Sequence, residues 1–139
     1  MPNFIVKAKE NSVSGGTPLV TGIKVVPGAL LTIDSDPCDT WSAGAANRTS
    51  NANGLGNGFG GNFGLYTQAP FSFLYGSLVG SLDGGKTYFP VGTRMEMSIL
   101  APGELTLHYW DSNNADNTGS VTATVSVYRG PDVSLCRVG

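Results

Sequence analysis

Residues 94–109 read RMEMSILAPGELTLHY, and this stretch decides the fold class because apolar and polar side chains alternate along it. In 94–99 every second residue is apolar, and 105–109 repeats the pattern. A two-residue period places one face of a strand in a core and the other in water. Ala101, Pro102 and Gly103 between them suit a turn. The stretch therefore predicts two strands joined as a hairpin.

Further strands are predicted where the same period or short apolar runs recur, at 4–8, 19–26, 29–33, 73–82 and 121–128. Helical periodicity is nearly absent, and Gly, Asn and Pro separate the runs. This pattern is typical of an all-β, two-sheet β-sandwich of the jelly-roll-like, galactose-binding-domain type. A length of 139 residues predicts a single domain, 1–139.

Composition excludes several classes of partner. Only 13% of residues are charged and the net charge is -2, so the chain has no field to attract nucleic acid. No apolar run approaches the roughly 20 residues of a membrane span, and 1–10 lacks a secretory leader. We therefore expect a soluble protein without membrane insertion, cytoplasmic or exported by a non-classical route. Cys38 and Cys136 predict either one disulfide or two free thiols, with no zinc or redox motif.

The densest group of oxygen ligands is 111–117, DSNNADN, in which five of seven side chains are Asp or Asn. Calcium takes about six to eight oxygens from carboxylates, amides, carbonyls and water. The loop is not an EF-hand, because Ala115 and Thr122 stand where that motif has oxygen ligands. Asp and Asn also favour turns through local hydrogen bonds. A calcium site and an ion-free turn therefore both stay open at this point.

Several motifs resemble the PA-IL-like galactophilic lectins of bacteria. The likeness covers most of the chain and is most specific in its second half. The segments that carry it are 105–111 (LTLHYWD), 116–120 (DNTGS), 76–80 (GSLVG), 89–92 (FPVG) and Ala101-Pro102, with weaker matches at 26–28 (VPG) and 32–33 (TI).

The resemblance implies a calcium ion and a set of ligands for it. These are the carbonyl of Trp41, the side chains of Asp111, Asp116 and Asn117, and a loop carbonyl at Asn113 or Asn114. The loop is two residues shorter than the family's, which leaves the choice of carbonyl open. Asp116 stands where the family has Asn; it adds a negative charge and can only accept hydrogen bonds from a sugar.

The resemblance also implies a mechanism, in which the ion binds two adjacent sugar hydroxyls while Asp111, Asp116 and Asn117 hydrogen-bond to the same pair. A cis 3,4-diol then favours galactose-type sugars over glucose-type ones. The family's His-Pro-x-Gln stretch, which contacts the sugar, has no counterpart, and the Gly/Asn-rich segment 51–64 takes its place. That segment either presents amides to the sugar or is a plain surface loop; the candidate amides are Asn53, Asn57 and Asn62.

Two aromatic residues near the loop have open roles. Trp110 either stacks on a sugar ring or belongs to the core. His108, the only histidine, is expected on a polar face. Its replacement by Ala is expected to change ion binding little, whereas Asp111→Ala is expected to abolish it. A further acidic group at 34–39 either lines the site or forms a turn around Pro37.

Taken together, these patterns predict a bacterial calcium-dependent lectin that binds galactose-containing glycans, is not an enzyme, and forms a homo-oligomer, a dimer or a tetramer. One alternative is a β-sandwich module that binds calcium structurally or associates with itself without recognising sugar. A hydrolase using Asp111 and Asp116 is a weaker alternative, since acids five positions apart on one loop are better placed to share an ion than to flank a scissile bond.

Overall fold

The computed structural model describes residues 2–56 and 60–129. Strands dominate these residues, with one 3-10 turn at Ala46–Arg48. The strands in chain order are β1 (Asn3–Lys7), β2 (Leu19–Val25), β3 (Leu30–Ser35), β4 (Trp41–Ser42), β5 (Thr49–Ser50), β6 (Leu65–Gln68), β7 (Phe71–Leu74), β8 (Leu78–Ser81), β9 (Phe89–Pro90), β10 (Arg94–Ser98), β11 (Gly103–Tyr109) and β12 (Thr118–Tyr128).

Two antiparallel sheets enclose the core. One has the order β10-β3-β12-β4-β5, with β1 also paired to β12, and the other has the order β2-β11-β8-β9. Buried side chains from both sheets form a single apolar cluster, to which Leu31 and Ile33 of β3, Leu105 and Leu107 of β11, and Val121 of β12 contribute. The predicted all-β sandwich is therefore confirmed. No helix in the described part of the chain is long and apolar enough to cross a membrane.

Most predicted strands are present, but two connections differ from the prediction. The predicted hairpin at 94–109 is wrong: β10 pairs with β3 in one sheet, whereas β11 pairs with β2 and β8 in the other. The turn at 100–102 thus carries the chain across the sandwich. The predicted strand 73–82 is two strands, because the chain turns at Tyr75 and Gly76, where Gly76 has a φ of 82°.

β11 is buried on both faces, which sequence alternation alone did not indicate. Its inner side chains enter the core, and its outer face is covered by an aromatic layer that includes the β6–β7 hairpin. This outer aromatic layer consists of Tyr66, Phe71, Phe73, Tyr88 and Trp110, whose ring centroids are spaced 5.0–5.9 Å apart in successive contacts.

His108 lies under the outer aromatic layer, so its predicted place on a solvated face is wrong. It is 2% exposed, its Nε2 lies 2.8 Å from Thr106 Oγ1, and its ring packs edge-on against Tyr88 at 5.3 Å. Burial lowers the pKa of His108 to about 4. Truncation of His108 to Ala would leave a cavity in a packed layer and lower stability, whereas the expected small effect on ion binding stays a prediction.

The chain crosses from one sheet to the other at 110–117, between β11 and β12. β12 begins beside β4, with Thr118 opposite Ser42 and Gly119 opposite Trp41. Gly119 has a φ of 82°, and a Cβ at this position would lie 3.0 Å from the Cα of Trp41. Glycine therefore allows the acidic loop to end directly against the backbone of Trp41.

Candidate functional site

The acidic loop brings together four of the residues that the sequence predicts as metal ligands. Asp111 follows β11, Asn117 immediately precedes β12, and the backbone of Trp41 runs alongside. Asp116 packs against Gly44, just beyond β4, where a Cβ would overlap its carboxylate. Gly44 has a φ of 115°, so both its backbone conformation and the space there require glycine.

Asp111 is a buried carboxylate that is only half satisfied. It is 5% exposed, and its Oδ1 accepts a hydrogen bond of 2.8 Å from the backbone N–H of Ser112. Its Oδ2 is buried and has no hydrogen-bond partner among the described residues. Burial raises the pKa of Asp111, and the negative charge of Asp116 adds to this rise, whereas interactions with the Asn117 side chain and the backbone N–H groups of Ser112 and Asn113 partly offset it. An unpaired buried carboxylate is costly, and a bound cation would offset that cost.

Asn117 presents a second unpartnered oxygen beside it. The residue is 2% exposed, and its Nδ2 donates to the carbonyl of Ala8 at 2.9 Å, which fixes the orientation of the amide. Its Oδ1 is then left without a partner within the described residues. The nearby hydroxyl of Tyr109 is likewise buried and unpartnered, and burial together with the charges of Asp111 and Asp116 raises its pKa.

The middle of the loop is held by turn-type hydrogen bonds. Asn113 Oδ1 accepts from the N–H of Ala115 at 2.9 Å, and the carbonyl of Asn114 accepts from the N–H of Asn117 at 3.1 Å. The Asn114 side chain donates to the carbonyl of Lys9 at 2.9 Å. These contacts account for the Asn residues as turn formers, but they leave the buried oxygens of Asp111 and Asn117 unexplained.

The described residues contain no group of three or more His, Cys, Asp or Glu side chains that could hold a metal ion. A cation at Asp111 and Asp116 would therefore also need amide and carbonyl oxygens. Calcium accepts such mixed oxygen ligands, whereas zinc and other transition metals prefer nitrogen and sulfur. The residues present fit calcium better than any softer ion.

A cleft of about 370 Å³ opens over Asp111 and Asp116. This volume is near the lower end of the roughly 300–1,000 Å³ that is typical of small-molecule sites. The residues lining the cleft are Ala43, Arg48, Leu55, Phe63, Tyr75, Asp111, Ser112, Asn113 and Asp116. Asn113, rather than Asn114, is thus the mid-loop residue that faces the cleft.

Two of the lining residues, Arg48 and Phe63, were not predicted as site residues. Phe63 lies in the Gly/Asn-rich segment 51–64 and Arg48 lies just before it. The guanidinium of Arg48 lies 5.7 Å from the centre of the Phe63 ring. An aromatic residue in a Gly/Asn-rich loop is the signal that could have pointed to Phe63.

Two of the predicted sugar-binding amides, Asn53 and Asn62, are not among the residues that line this cleft. Asn53 Oδ1 accepts from the N–H of Thr93 at 2.8 Å, beside a separate depression at Val91 and Gly92. Asn62 is exposed, and its Oδ1 accepts from the N–H of Gly64 at 3.1 Å. Asn57 lies outside the described residues.

Trp110 is not available to stack on a sugar, which corrects that prediction. It has 0% exposure, its Nε1 donates to the carbonyl of Tyr66 at 2.7 Å, and its ring faces the outer aromatic layer. The burial of Trp110 supports the alternative, that it belongs to the core.

The acidic group at 34–39 forms a turn and a surface ion pair. Asp36 accepts from the N–H of Cys38 and, through its carbonyl, from the N–H of Asp39. Asp34 pairs with Arg94 at 2.7 Å. Cys38 is exposed; Cys136 lies outside the described residues, so the state of the two cysteines stays a prediction.

Comparison with known proteins supports the lectin interpretation. No protein-family model and no curated protein matches the sequence. Among solved structures, the chain is similar to a domain described as the EclA N-terminal domain, a PllA-like lectin. The TM-score is 0.60 and the identity 25%, over 94% of this chain and 97% of that one. The chain has a lectin-like fold. The narrower likeness to PA-IL-like lectins rests on the sequence motifs alone.

Proposed function

We propose that this chain is a non-catalytic, calcium-dependent lectin that binds galactose-type sugars in the cleft over Asp111. The observation that carries the proposal is the pair of buried, unpartnered oxygens, Asp111 Oδ2 and Asn117 Oδ1, in one loop of which Asp111 lines this cleft. Natural proteins rarely leave such atoms unpaired, and an ion is one of the few groups that satisfies two of them at once. The likeness to a lectin domain supports carbohydrate as the ligand.

The chain's own residues have separate tasks in this mechanism. Asp111 and Asn117 would hold the ion from below, and Asp116, the backbone of Trp41 and a carbonyl at Asn113 or Asn114 would complete its protein ligands. When bound, calcium would supply coordination positions for two vicinal hydroxyls of the sugar. Asp116 is exposed and would accept a hydrogen bond from one of these hydroxyls and so orient the ring. The resemblance to galactophilic lectins implies a preference for a cis 3,4-diol, which would favour galactose over glucose.

The test is a titration of methyl galactoside and methyl glucoside into the protein, first with calcium and then with excess chelator. We expect galactoside binding with calcium, weaker glucoside binding, and loss of both on chelation. Calcium uptake without any sugar binding would instead support a structural calcium module. Sugar binding that survives chelation would place recognition elsewhere.

Self-association is a separate part of the proposal. Individual lectin sites are weak, and several sites on one homo-oligomer gain avidity for multivalent glycans. Light scattering of the purified protein would measure its mass in solution. A monomer at working concentration would rule out the proposed dimer or tetramer without affecting the sugar site.

A further inference from the structure

The lining of the cleft also contains a cation, Arg48. Arg48 ends the 3-10 turn at Ala46–Arg48, and its backbone is fixed on both sides. Its N–H donates to the carbonyl of Ala45 at 2.9 Å, and its carbonyl accepts from the N–H of Ala43 at 3.0 Å. The Cα of Arg48 is therefore held next to β4, and the side chain extends into the cleft that Asp111 and Asp116 also line.

Within the part of the chain that the structure describes, the guanidinium of Arg48 forms no ion pair. The salt bridges found among residues 2–56 and 60–129 both belong to Arg94, which contacts Asp34 and Glu96 on an open strand surface. Arg48 shares a cleft with two carboxylates and lies within 4 Å of neither. Its five N–H donors are consequently free for an anionic group on a ligand.

The aromatic ring of Phe63 orients this cation. The guanidinium carbon lies 5.7 Å from the ring centre, within the range of a cation–π contact. A contact of this kind uses no hydrogen-bond acceptor, so it leaves the N–H donors of the guanidinium available. Phe63 is 40% exposed and, with Leu55, gives the wall an apolar surface against which a sugar ring can lie. The cleft thus combines an acidic floor, an apolar side and a single cation.

We infer that the cleft selects galactose-type sugars that carry an anionic substituent, a carboxylate or a sulfate ester, and that Arg48 binds this substituent. The inference rests on the proposed function, because the diol must first be held over Asp111 for the substituent to reach the guanidinium of Arg48. A neutral galactoside occupies the same floor but leaves the guanidinium unpaired.

The experiment compares three probes in calcium: methyl galactoside, galacturonic acid and galactose 6-sulfate. We expect at least one of the two anionic sugars to bind about tenfold more tightly than the neutral one, which corresponds to about 1.4 kcal/mol. Arg48→Gln should remove this preference and leave the affinity for methyl galactoside within about twofold. Arg94→Gln, which removes the same charge from a distant surface, should leave the preference intact. A carboxylate-only or sulfate-only preference identifies which substituent the wall accepts.

Other outcomes separate this inference from the function on which it rests. If methyl galactoside binds but neither anionic sugar binds more tightly, the inference is wrong and the lectin function stands. If galacturonic acid binds more tightly in wild type and Arg48→Gln alike, its carboxylate contacts the ion instead, and the inference is again overturned. If no sugar binds with calcium present, the proposed function itself fails.

Discussion

Replacing Asp111 with Asn should abolish most of the stabilisation by calcium. The wild-type carboxylate is 5% exposed and has one unpartnered oxygen, and its pKa is raised by burial. The amide has nearly the same shape and no charge to desolvate. Leaving a buried polar group unsatisfied costs about 1–3 kcal/mol, so in chelator the variant should be as stable as wild type or more stable by about 1 kcal/mol.

With calcium, wild type should instead be more stable than Asp111→Asn. A ligand at 100 times its dissociation constant stabilises the folded state by about 2.7 kcal/mol. For a domain of this length that corresponds to a rise in Tm of about 10 °C. Wild type should show this rise, whereas Asp111→Asn, which lacks the charged ligand, should show little of it.

Differential scanning calorimetry measures the Tm of wild type and of Asp111→Asn, each with calcium and with chelator. Asp34→Asn is a matched control, because it removes one carboxylate charge from an exposed strand position and should respond to calcium like wild type. An equal calcium-induced rise in Asp111→Asn and wild type would refute the reasoning. A variant much less stable than wild type in chelator would show that Asp111 has a structural partner.

Three further predictions follow from individual side chains. Burial lowers the pKa of His108 from 6.5 to about 4. The neutral ring therefore contributes fully to the free energy of unfolding above about pH 6.5, and roughly 3 kcal/mol is lost as the pH falls towards 4. Urea unfolding across this range should show the loss in wild type and not in His108→Gln. Gly44→Ala should weaken calcium binding about tenfold by calorimetric titration, since its Cβ meets Asp116, whereas Gly28→Ala, also at positive φ but with open space around it, should not. Trp110→Phe should lower the free energy of unfolding by about 1–3 kcal/mol through loss of its hydrogen bond to Tyr66, and unchanged galactoside affinity would confirm that this ring does not contact sugar.

The sequence was sufficient for the fold class because the alternation in β10 and β12 reports directly which side chains face a core. The apolar residues of 121–125 are indeed buried at every second position. Alternation was misleading for β11, where a second apolar layer covers the polar-looking face. That layer is formed by residues such as Tyr66 and Phe73, distant in sequence, and no local pattern reveals it.

Connections were harder to predict than strands. The turn after β10 has ordinary hairpin residues, yet the strands on either side of it join different sheets. Pairing partners are set by the shape of the whole sandwich, and the turn chemistry at Pro102 is compatible with both outcomes.

For the candidate site, the residue types in 111–117 identified the acidic floor, and the structure places these residues together. Arg48 and Phe63 were not predicted to line the site. The sequence-based prediction favoured amide side chains in this region, at Asn53, Asn57 and Asn62. Which side chain of a long loop turns towards a cleft depends on the three-dimensional course of that loop, and composition carries no information on it.

The loop between β11 and β12 connects the two sheets of the sandwich, and the two buried oxygens lie at its opposite ends. An ion bound by both Asp111 and Asn117 would therefore act as a cross-link between the two sheets. Such an ion would couple occupancy of the proposed sugar site to the mechanical integrity of the domain. A fall in ambient calcium should release the glycan and, in the same step, expose the seam between the sheets to proteases.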